Sequence, residues 1–340
     1  MKHSRWIKIF SILMACLLAL SLTACGASSA NSSSTSGSSS SSSKTPIKIA
    51  LSPLPSWYFW YLVRDKGFFK KHHVNVKLVY FPTYSDSISA LNAGKVDGNS
   101  EALIDCISPL SKGVPIKSVF ATDYSAGGDG IVAKPGIKSV KDLKGKKVAT
   151  EVGTIEHFFL LTLLKDNGMT EKDIHLTNMT VQDSGNAFIA GKLDAAALWE
   201  PSLTEAQTKG HGTKIASSKS YPGLIPDMLV MNSNVMKNRP QDVKNIADAW
   251  FDAMNYYKAH PQESIKIVAK DAGITPAELK QGIDGFHLLS VDANKQYYKK
   301  GNTFKSFYYS AEQNGKFLKN LGYIQQVPSF NSFLSSPYIK

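Results

Sequence analysis

The sequence predicts an α/β protein with two Rossmann-like lobes, joined by two hinge crossings and with extra C-terminal helices on lobe one. Three observations support this fold class. An eight-residue pattern occurs twice, predicted strands and helices alternate around each copy, and the chain beyond Asn232 is mainly helical. Alternating strands and helices indicate parallel sheets covered by helices.

The repeated pattern is Ala-x-x-Ala-Gly-Lys-x-Asp. It spans residues 90–97 and returns at residues 187–194, 97 residues later. Each copy reads as a helix end, a glycine stop and the start of a short strand, because glycine commonly closes helices in the left-handed region. A period this long is not typical of a solenoid. It predicts one βαβ lobe built twice, with a ligand site between the copies.

The chain divides into five predicted segments. They are a signal peptide (1–24), a lipid-bearing Cys25 with a Ser-rich tether (25–45), the first part of lobe one (46–130), lobe two (131–228) and the return to lobe one (229–340). The N-terminus supports the first two, since a basic start and an apolar run precede Leu-Thr-Ala-Cys. This short motif resembles the lipobox of bacterial lipoproteins, which implies cleavage before Cys25 and acylation there. The Ser-rich stretch that follows cannot bury enough apolar surface to fold.

Hydrophobic and turn patterns predict the elements within the lobes. Predicted strands are 47–52, 74–81, 96–99 and 114–122 in lobe one, and 147–150, 174–179, 193–198 and 214–216 in lobe two. Residues 131–134 and 224–231 are predicted as the two extended crossings. Beyond them, an apolar stripe from Val243 to Tyr257 predicts a helix with one buried face. Thr275 and Glu278 form a capping box, and helices are predicted at 292–307 and 311–321.

Charge and cysteine content narrow the possible functions. The formal charge of +12 falls to +9 without Lys2, Arg5 and Lys8 of the signal peptide, and no basic run of nucleic-acid-binding type occurs. We therefore expect no nucleic-acid partner. After removal of Cys16 and acylation of Cys25, Cys106 remains without a disulfide partner. It lies in an apolar run and is predicted to be a small buried side chain.

No recognisable catalytic or metal-binding motif is present, so we expect neither metal nor cofactor. What the predicted strand ends offer is a ring of aromatic and polar side chains, because ligands in open α/β sheets lie at the carboxyl ends of the strands. Glu156 lies in this ring beside the candidate binding residues, which are Trp57, Trp60, Thr83, Tyr84, Ser85, Ser100, Glu101, Ser125, Asp129, Thr154, His157, Asp183, Trp199, Glu200 and Asp227.

The residue types in this ring indicate the chemistry of the ligand. Helix starts near Ser85 and Thr154 can hold an anionic group with backbone N–H donors. Carboxylates beside aromatic rings suit an amine or cation. Two alternatives stay open: the rings near Trp57 can belong to the core, and Asp183 can be a helix cap.

The motifs together resemble a known family, the extracytoplasmic solute-binding lipoproteins of ABC importers in the nitrate/sulfonate/taurine group. The resemblance covers about residues 47–260 and rests on these segments, in this order: 66–70, 90–97, 128–129, 139–148, 153–154, 183, 190–192 and 199–201. It implies a periplasmic-binding-protein-like fold of type II, anchored outside the cytoplasm by a lipid. It also implies closure on a small solute and delivery, as a monomer, to an ABC permease with its ATPase partner.

The resemblance also sets the expected solutes. We expect a sulfonate- or taurine-like zwitterion, with its anion near Thr154 and its amine near Glu200 or Asp129. A pyrimidine-type thiamine precursor or another ring compound is the alternative, stacked between Trp57 or Trp60 and Trp199. An enzyme branch of the fold uses a cysteine-rich motif, which this chain lacks, so we expect no enzyme. A sensor module on the same fold is a further alternative.

Overall fold

The computed structural model describes residues 45–339. The signal peptide, the lipidation of Cys25 and nearly all of the predicted tether lie outside these residues. Within them the strands are β1 (Ile47–Leu51), β2 (Val76–Tyr80), β3 (Gly98–Ala102), β4 (Ile116–Ser125), β5 (Asp129–Ala133), β6 (Lys147–Thr150), β7 (His175–Asn178), β8 (Ala195–Trp199), β9 (Thr213–Ser217), β10 (Pro226–Asn232) and β11 (Phe286–Leu288).

Helices cover both sheets and fill most of the chain after β10. In chain order they are α1 (Phe59–Asp65), α2 (Phe68–Lys71), α3 (Tyr84–Asn92), α4 (Ile107–Ser111), α5 (Ile155–Asp166), α6 (Val181–Ile189), α7 (Ser202–Thr208), α8 (Ser233–Asn238), α9 (Pro240–Ala259), α10 (Pro261–Ala272), α11 (Pro276–Ile283), α12 (Val291–Tyr297) and α13 (Phe307–Asn320).

The strands form two mixed sheets, each the centre of one lobe. Sheet one has the order β11-β4-β10-β3-β1-β2, and sheet two has the order β7-β6-β8-β5-β9. In sheet one, β10 runs antiparallel between β3 and β4, and in sheet two β5 runs antiparallel between β8 and β9. Each lobe therefore contains one antiparallel strand that directly follows a crossing. The predicted α/β fold class with two Rossmann-like lobes is confirmed.

The chain passes to sheet two between Ser125 and Asp129 and returns between Ser217 and Pro226. Residues 131–133, predicted as part of a crossing, instead lie in β5 inside sheet two, because both edges of that strand are paired. The numerical bounds given above for the lobes stay predictions.

The eight-residue repeat forms the same join in both lobes. Gly94 and Gly191 have φ angles of +68° and +74°, directly after α3 and α6. The Asp97 carboxylate accepts the N–H of Lys48 at 2.8 Å, and the Asp194 carboxylate accepts the N–H of Lys147 at 2.9 Å. The aspartate of each repeat thus fixes its lobe's first parallel strand to the third.

Two predicted boundaries were wrong in ways that matter for the site. β3 covers residues 98–102 rather than 96–99, so Ser100 and Glu101 lie within the strand and not at its end. The helix predicted over residues 292–307 already ends at Tyr297, as α12, and the helix predicted over residues 311–321 corresponds to α13, which begins earlier, at Phe307. The capping box at Thr275 and the buried face of α9 are confirmed.

Candidate functional site

A small cavity lies where the two sheets meet at the carboxyl ends of their parallel strands. Its volume is about 10 Å³. That is room for roughly one water molecule, so the lobes are closed onto each other. The described residues that line it are Leu54, Trp57, Tyr84, Ala102, Asp129, Ile155, Trp199, Ile225, Asp227 and Phe286.

Aromatic rings form most of the wall. The Tyr84 ring lies between two tryptophans, with its centroid 5.2 Å from that of Trp57 and 5.4 Å from that of Trp199. Phe286 reaches the cavity from β11, where Gly128 makes room for it. A Cβ at position 128 would lie 2.4 Å from the Phe286 ring, so glycine is required there by close approach. The rings come from both lobes and meet only when the cleft is closed.

Carboxyl groups supply the polar part of the cavity. Asp129 begins β5 and Asp227 lies at the start of β10, both beside the crossings, and each is about 3% exposed. No N–H or hydroxyl group of the described residues donates to Asp129 Oδ2, and the Asp129 carboxylate shares a hydrogen bond with the carboxyl group of Glu156. Burial raises the pKa of Asp129, and burial together with the charge of Asp123 raises the pKa of Asp227 well above its ordinary value. The cavity therefore presents acceptors that lack a cation.

Further buried carboxyl groups lie behind these two. Burial raises the pKa of Asp123, which pairs with Asp227, to about 6. Burial and the neighbouring Asp129 raise the pKa of Glu156 well above its ordinary value. None of the ten described residues that line the cavity is Lys, Arg or His. Because buried charges need partners, this arrangement favours a positively charged or N–H-rich ligand.

Protein carboxylates already occupy the helix N-termini that were predicted to hold an anion. Glu151 accepts the N–H of Ser85 at the start of α3 and the N–H of Val181 at the start of α6, both at 3.3 Å. Asp105 accepts the N–H of Ile155 at the start of α5, and it accepts the Tyr84 hydroxyl at 2.7 Å. In this closed structure these helix ends are satisfied from within the chain.

The structure brings five of the predicted site residues together in the cavity: Trp57, Tyr84, Asp129, Trp199 and Asp227. Trp60, predicted as a site residue, is instead a core residue. Its ring centroid lies 4.5 Å from that of Trp250, and its N–H donates to Ser100 Oγ at 2.8 Å. Ser100 is consequently buried in the same cluster and does not reach the cavity.

Other predicted residues have partners elsewhere. Glu101 accepts the thiol of Cys106 at 3.1 Å and the amide of Asn99 at 2.9 Å inside lobe one. Ser125 bonds Ser218 at 2.7 Å between the two crossings. Glu200 accepts the N–H and the hydroxyl of Thr204 at 3.1 and 3.0 Å and does not line the cavity.

The remaining predicted residues lie around the cleft rather than in it. Thr154 and His157 line a separate cavity beside α13, where His157 contacts Glu171. Ser85 and Asp183 line an open groove of about 790 Å³ that contains no aromatic residue. Thr83 lines a second small cavity, together with Glu151 and Trp199. Asp183 accepts the Thr180 hydroxyl at 2.9 Å at the start of α6. The cap of this helix is Thr180, whose side chain accepts the Asp183 N–H at 3.1 Å, so Asp183 supports the cap from within the first turn.

Sequence reasoning missed the buried acids Asp105, Asp123 and Glu151 and the wall residue Phe286. Asp123 lies just beyond the strand predicted over residues 114–122, and no strand is predicted at Phe286, which begins β11. The sequence around Asp105 and Glu151 does not indicate their contacts, because the helix starts that they bond are distant in sequence.

Across the described residues, no group of three or more His, Cys, Asp or Glu side chains is placed to hold a metal ion. The same part of the chain has no helix with the length and apolar character needed to cross a membrane.

Two α/β lobes that are joined by two crossings and close on the cleft between them define a protein class. The architecture is that of the type II periplasmic binding proteins, the solute-binding components of ABC import systems. The NMT1/THI5 like family model matches residues 55–264. The chain belongs to this NMT1/THI5-like family.

Comparison with known proteins gives relatives of the same class. The taurine-binding periplasmic protein of Escherichia coli is 23% identical over 231 residues, which is 65% of this chain and 71% of the relative. The crystal structure of the periplasmic aliphatic sulphonate binding protein SsuA from Escherichia coli superposes with a TM-score of 0.70 at 20% identity. That alignment covers 88% of this chain and all of the other. A structure of the desulfurization enzyme DSZB matches with a TM-score of 0.63 at 15% identity, over 86% of this chain and 97% of the enzyme.

Proposed function

We propose that this solute-binding component captures a small ring compound with a protonated amine, or an N–H edge of similar character, between its lobes. One observation carries the proposal: the cavity combines four aromatic rings with the buried carboxyl groups of Asp129 and Asp227, and its described lining has no basic side chain. An aminopyrimidine of the kind found in thiamine precursors fits this chemistry.

The physical argument rests on the cost of buried charge. In the closed cleft, Asp129 and Asp227 lose hydration, and no basic side chain lines the cavity to balance their charge. A ligand ammonium or amidinium group supplies the missing charge and donors. The ring faces of Trp57 and Trp199 attract the same cation and stack on a flat ring. The indole N–H of Trp57 is buried and lacks an acceptor among the described residues, so a ring nitrogen can accept it.

A taurine-like aminosulfonate is the second candidate. The taurine-binding relative supports it, and Asp129 suits the amine of such a ligand. Its sulfonate, however, needs donors, and the nearest helix N-termini already bond Glu151 and Asp105. Binding of a sulfonate therefore requires displacement of a protein carboxylate, which costs free energy. Binding of a ring amine does not require this displacement.

We propose a transport role without catalysis for this chain. Cys106, the one cysteine among the described residues, is fully buried against Glu101 and does not line the cavity. Closure around the solute would then be recognised by a permease and its ATPase partner. A ligand shifts the protein to the closed state only if it binds that state better. The protein is proposed to act as a monomer.

The proposed location is outside the cytoplasm, on the membrane to which lipidated Cys25 attaches. The sequence motif around Cys25 carries this part of the proposal. A Cys25→Ala variant should lose metabolic incorporation of labelled palmitate, while an intact Cys106 alone should not restore it. Labelling of the Cys25→Ala variant at the level of wild type would contradict the anchor.

A thermal-shift screen of the full-length protein in mild detergent tests the solute. The panel contains 4-aminopyrimidine, benzamidine, ethanesulfonate, taurine and nitrate. A solute at a hundred times its dissociation constant stabilises the folded state by about 2.7 kcal/mol, which is readily detected. We expect shifts with the first two compounds. A shift with taurine and none with the ring amines would overturn the first candidate in favour of the second.

A further inference from the structure

Two carboxylates link the lobes in a reciprocal arrangement. Glu151 follows β6 in lobe two, yet it accepts the N–H of Ser85 in lobe one. Asp105 follows β3 in lobe one, yet it accepts the N–H of Ile155 in lobe two. Each lobe thus offers one carboxylate to the first turn of a helix in the other lobe. We call Glu151 and Asp105, with these contacts, the two clasps.

The clasps lie directly beside the ligand cavity. Ile155 and Tyr84 both line it, and Tyr84 donates its hydroxyl to Asp105 at 2.7 Å. Glu151 lines the second small cavity, the one that Thr83 and Trp199 also line. Both carboxylates are at least nine-tenths buried. An anionic group entering the cleft would find these helix ends, which would otherwise attract it, already bonded to protein carboxyl groups.

We propose that Glu151 and Asp105 are specificity-determining residues that exclude anionic solutes from the cleft and hold the lobes closed. The inference rests on the proposed function, since it explains why a cleft of this family accepts a cation. Specificity arises here from repulsion of the wrong ligand as well as from attraction of the right one.

The reciprocal arrangement predicts separate effects for the two residues. Loss of Glu151 frees the first N–H groups of α3 and α6, whereas loss of Asp105 frees that of α5. Amide hydrogen exchange of the unliganded protein should show this. Glu151→Gln should accelerate exchange in peptides that cover the starts of α3 and α6, and Asp105→Asn in the peptide that covers the start of α5. Faster exchange throughout the protein in either variant, or no change at these helix starts, would overturn the clasps.

Ligand specificity is tested by calorimetric titration of full-length protein with ethanesulfonate. We expect affinity to rise in the order wild type, Glu151→Gln, Glu151→Ser, with a gain of at least about tenfold for the last, equal to about 1.4 kcal/mol. Glu151→Asp keeps the charge and should give no gain. Asp142→Asn is the matched control, because Asp142 caps residues 138–139 within lobe two and is exposed.

The outcomes separate this inference from the proposed function. The proposed function is judged on wild type, by whether 4-aminopyrimidine or taurine binds. The clasps are judged by the ratio of ethanesulfonate affinity between each variant and wild type. Folded Glu151→Ser and Asp105→Ser variants with an unchanged ratio would overturn the clasps, whichever solute wild type binds. If Asp105→Ser does not fold, Asp105→Asn provides the same ratio.

Discussion

The hydroxyl of Tyr84 joins the aromatic wall of the cavity to the buried carboxylate of Asp105. It donates to Asp105 Oδ2 at 2.7 Å and accepts the N–H of Ala102 at 2.9 Å, while its ring lies between two tryptophans. One side chain therefore fixes the position of a ring that faces the ligand and of an acid that bonds the opposite lobe.

Tyr84→Phe should lower the free energy of unfolding by about 1–3 kcal/mol, because a buried carboxylate and a buried N–H both lose a partner. Urea unfolding followed by tryptophan fluorescence measures the loss. Tyr309→Phe is the control, since the Tyr309 hydroxyl has no hydrogen-bond partner among the described residues and its ring contacts Phe304. Equal stability of Tyr84→Phe and wild type would show that the hydroxyl contributes nothing.

The two neighbouring tryptophans should respond differently to the same substitution. Trp57→Phe should weaken binding of 4-aminopyrimidine by about 1–2 kcal/mol, because the indole N–H and part of the stacking surface are lost. Trp60→Phe should instead lower stability by about 1–3 kcal/mol, because buried Ser100 loses its donor, and should leave affinity unchanged. Calorimetric titration and urea unfolding of both variants decide the matter. The reverse pattern would place the ligand beside Trp60.

Stability of the unliganded protein should fall as pH rises through neutrality. Burial raises the pKa of Glu200 from an ordinary 4.5 to about 7. Between these values the folded state holds a proton that the unfolded chain has released, so the stabilising effect is complete below pH 4.5 and is lost as pH passes 7. Glu200→Gln should remove this contribution, with a relative gain at pH 8 of roughly 3 kcal/mol at most.

Urea unfolding of wild type and Glu200→Gln at pH 5, 6.5 and 8 measures that contribution. The exposed Glu312 offers a matched change, Glu312→Gln, that removes one charge without a buried carboxyl group. Parallel pH profiles for wild type and Glu200→Gln would contradict the assignment to Glu200.

Replacement of either glycine of the repeat by alanine should lower the free energy of unfolding by about 1 kcal/mol. Gly94 and Gly191 adopt positive φ, and a Cβ at either position meets nothing within 4 Å. The cost of Gly94→Ala or Gly191→Ala is therefore conformational and not steric crowding. Thermal unfolding should show similar losses in the two variants and a smaller loss for Asn, which tolerates this conformation. A difference of several kcal/mol between the two alanine variants would contradict equivalence of the repeats.

Sequence reasoning predicted the two lobes because their signals are local. Glycine after a helix indicates the backbone conformation at that position directly. The repeat shows that both lobes use the same conformation. The buried face of α9 was predictable for the same reason, since Val243, Ile246 and Trp250 recur at helical spacing.

The site was predicted only in part, for two physical reasons. Small boundary errors change which side chains face the cleft: β3 covers residues 98–102 rather than 96–99, so Ser100 and Glu101 lie within the strand. Contacts across the lobes have no local pattern. Glu151 and Ser85 are 66 residues apart, and nothing near either residue indicates the other.

The small volume of the cavity also has a kinetic consequence. A space with room for roughly one water cannot hold a ring compound, so the solute must enter while the lobes are apart, and the lobes must stay further apart around it than they are in this structure. The observed rate constant of solute binding should then level off at high solute concentration. Its limit is the rate constant with which the closed form opens. Selection among solutes would accordingly begin at the encounter with the open cleft, before the aromatic walls and the acids of both lobes surround the ligand.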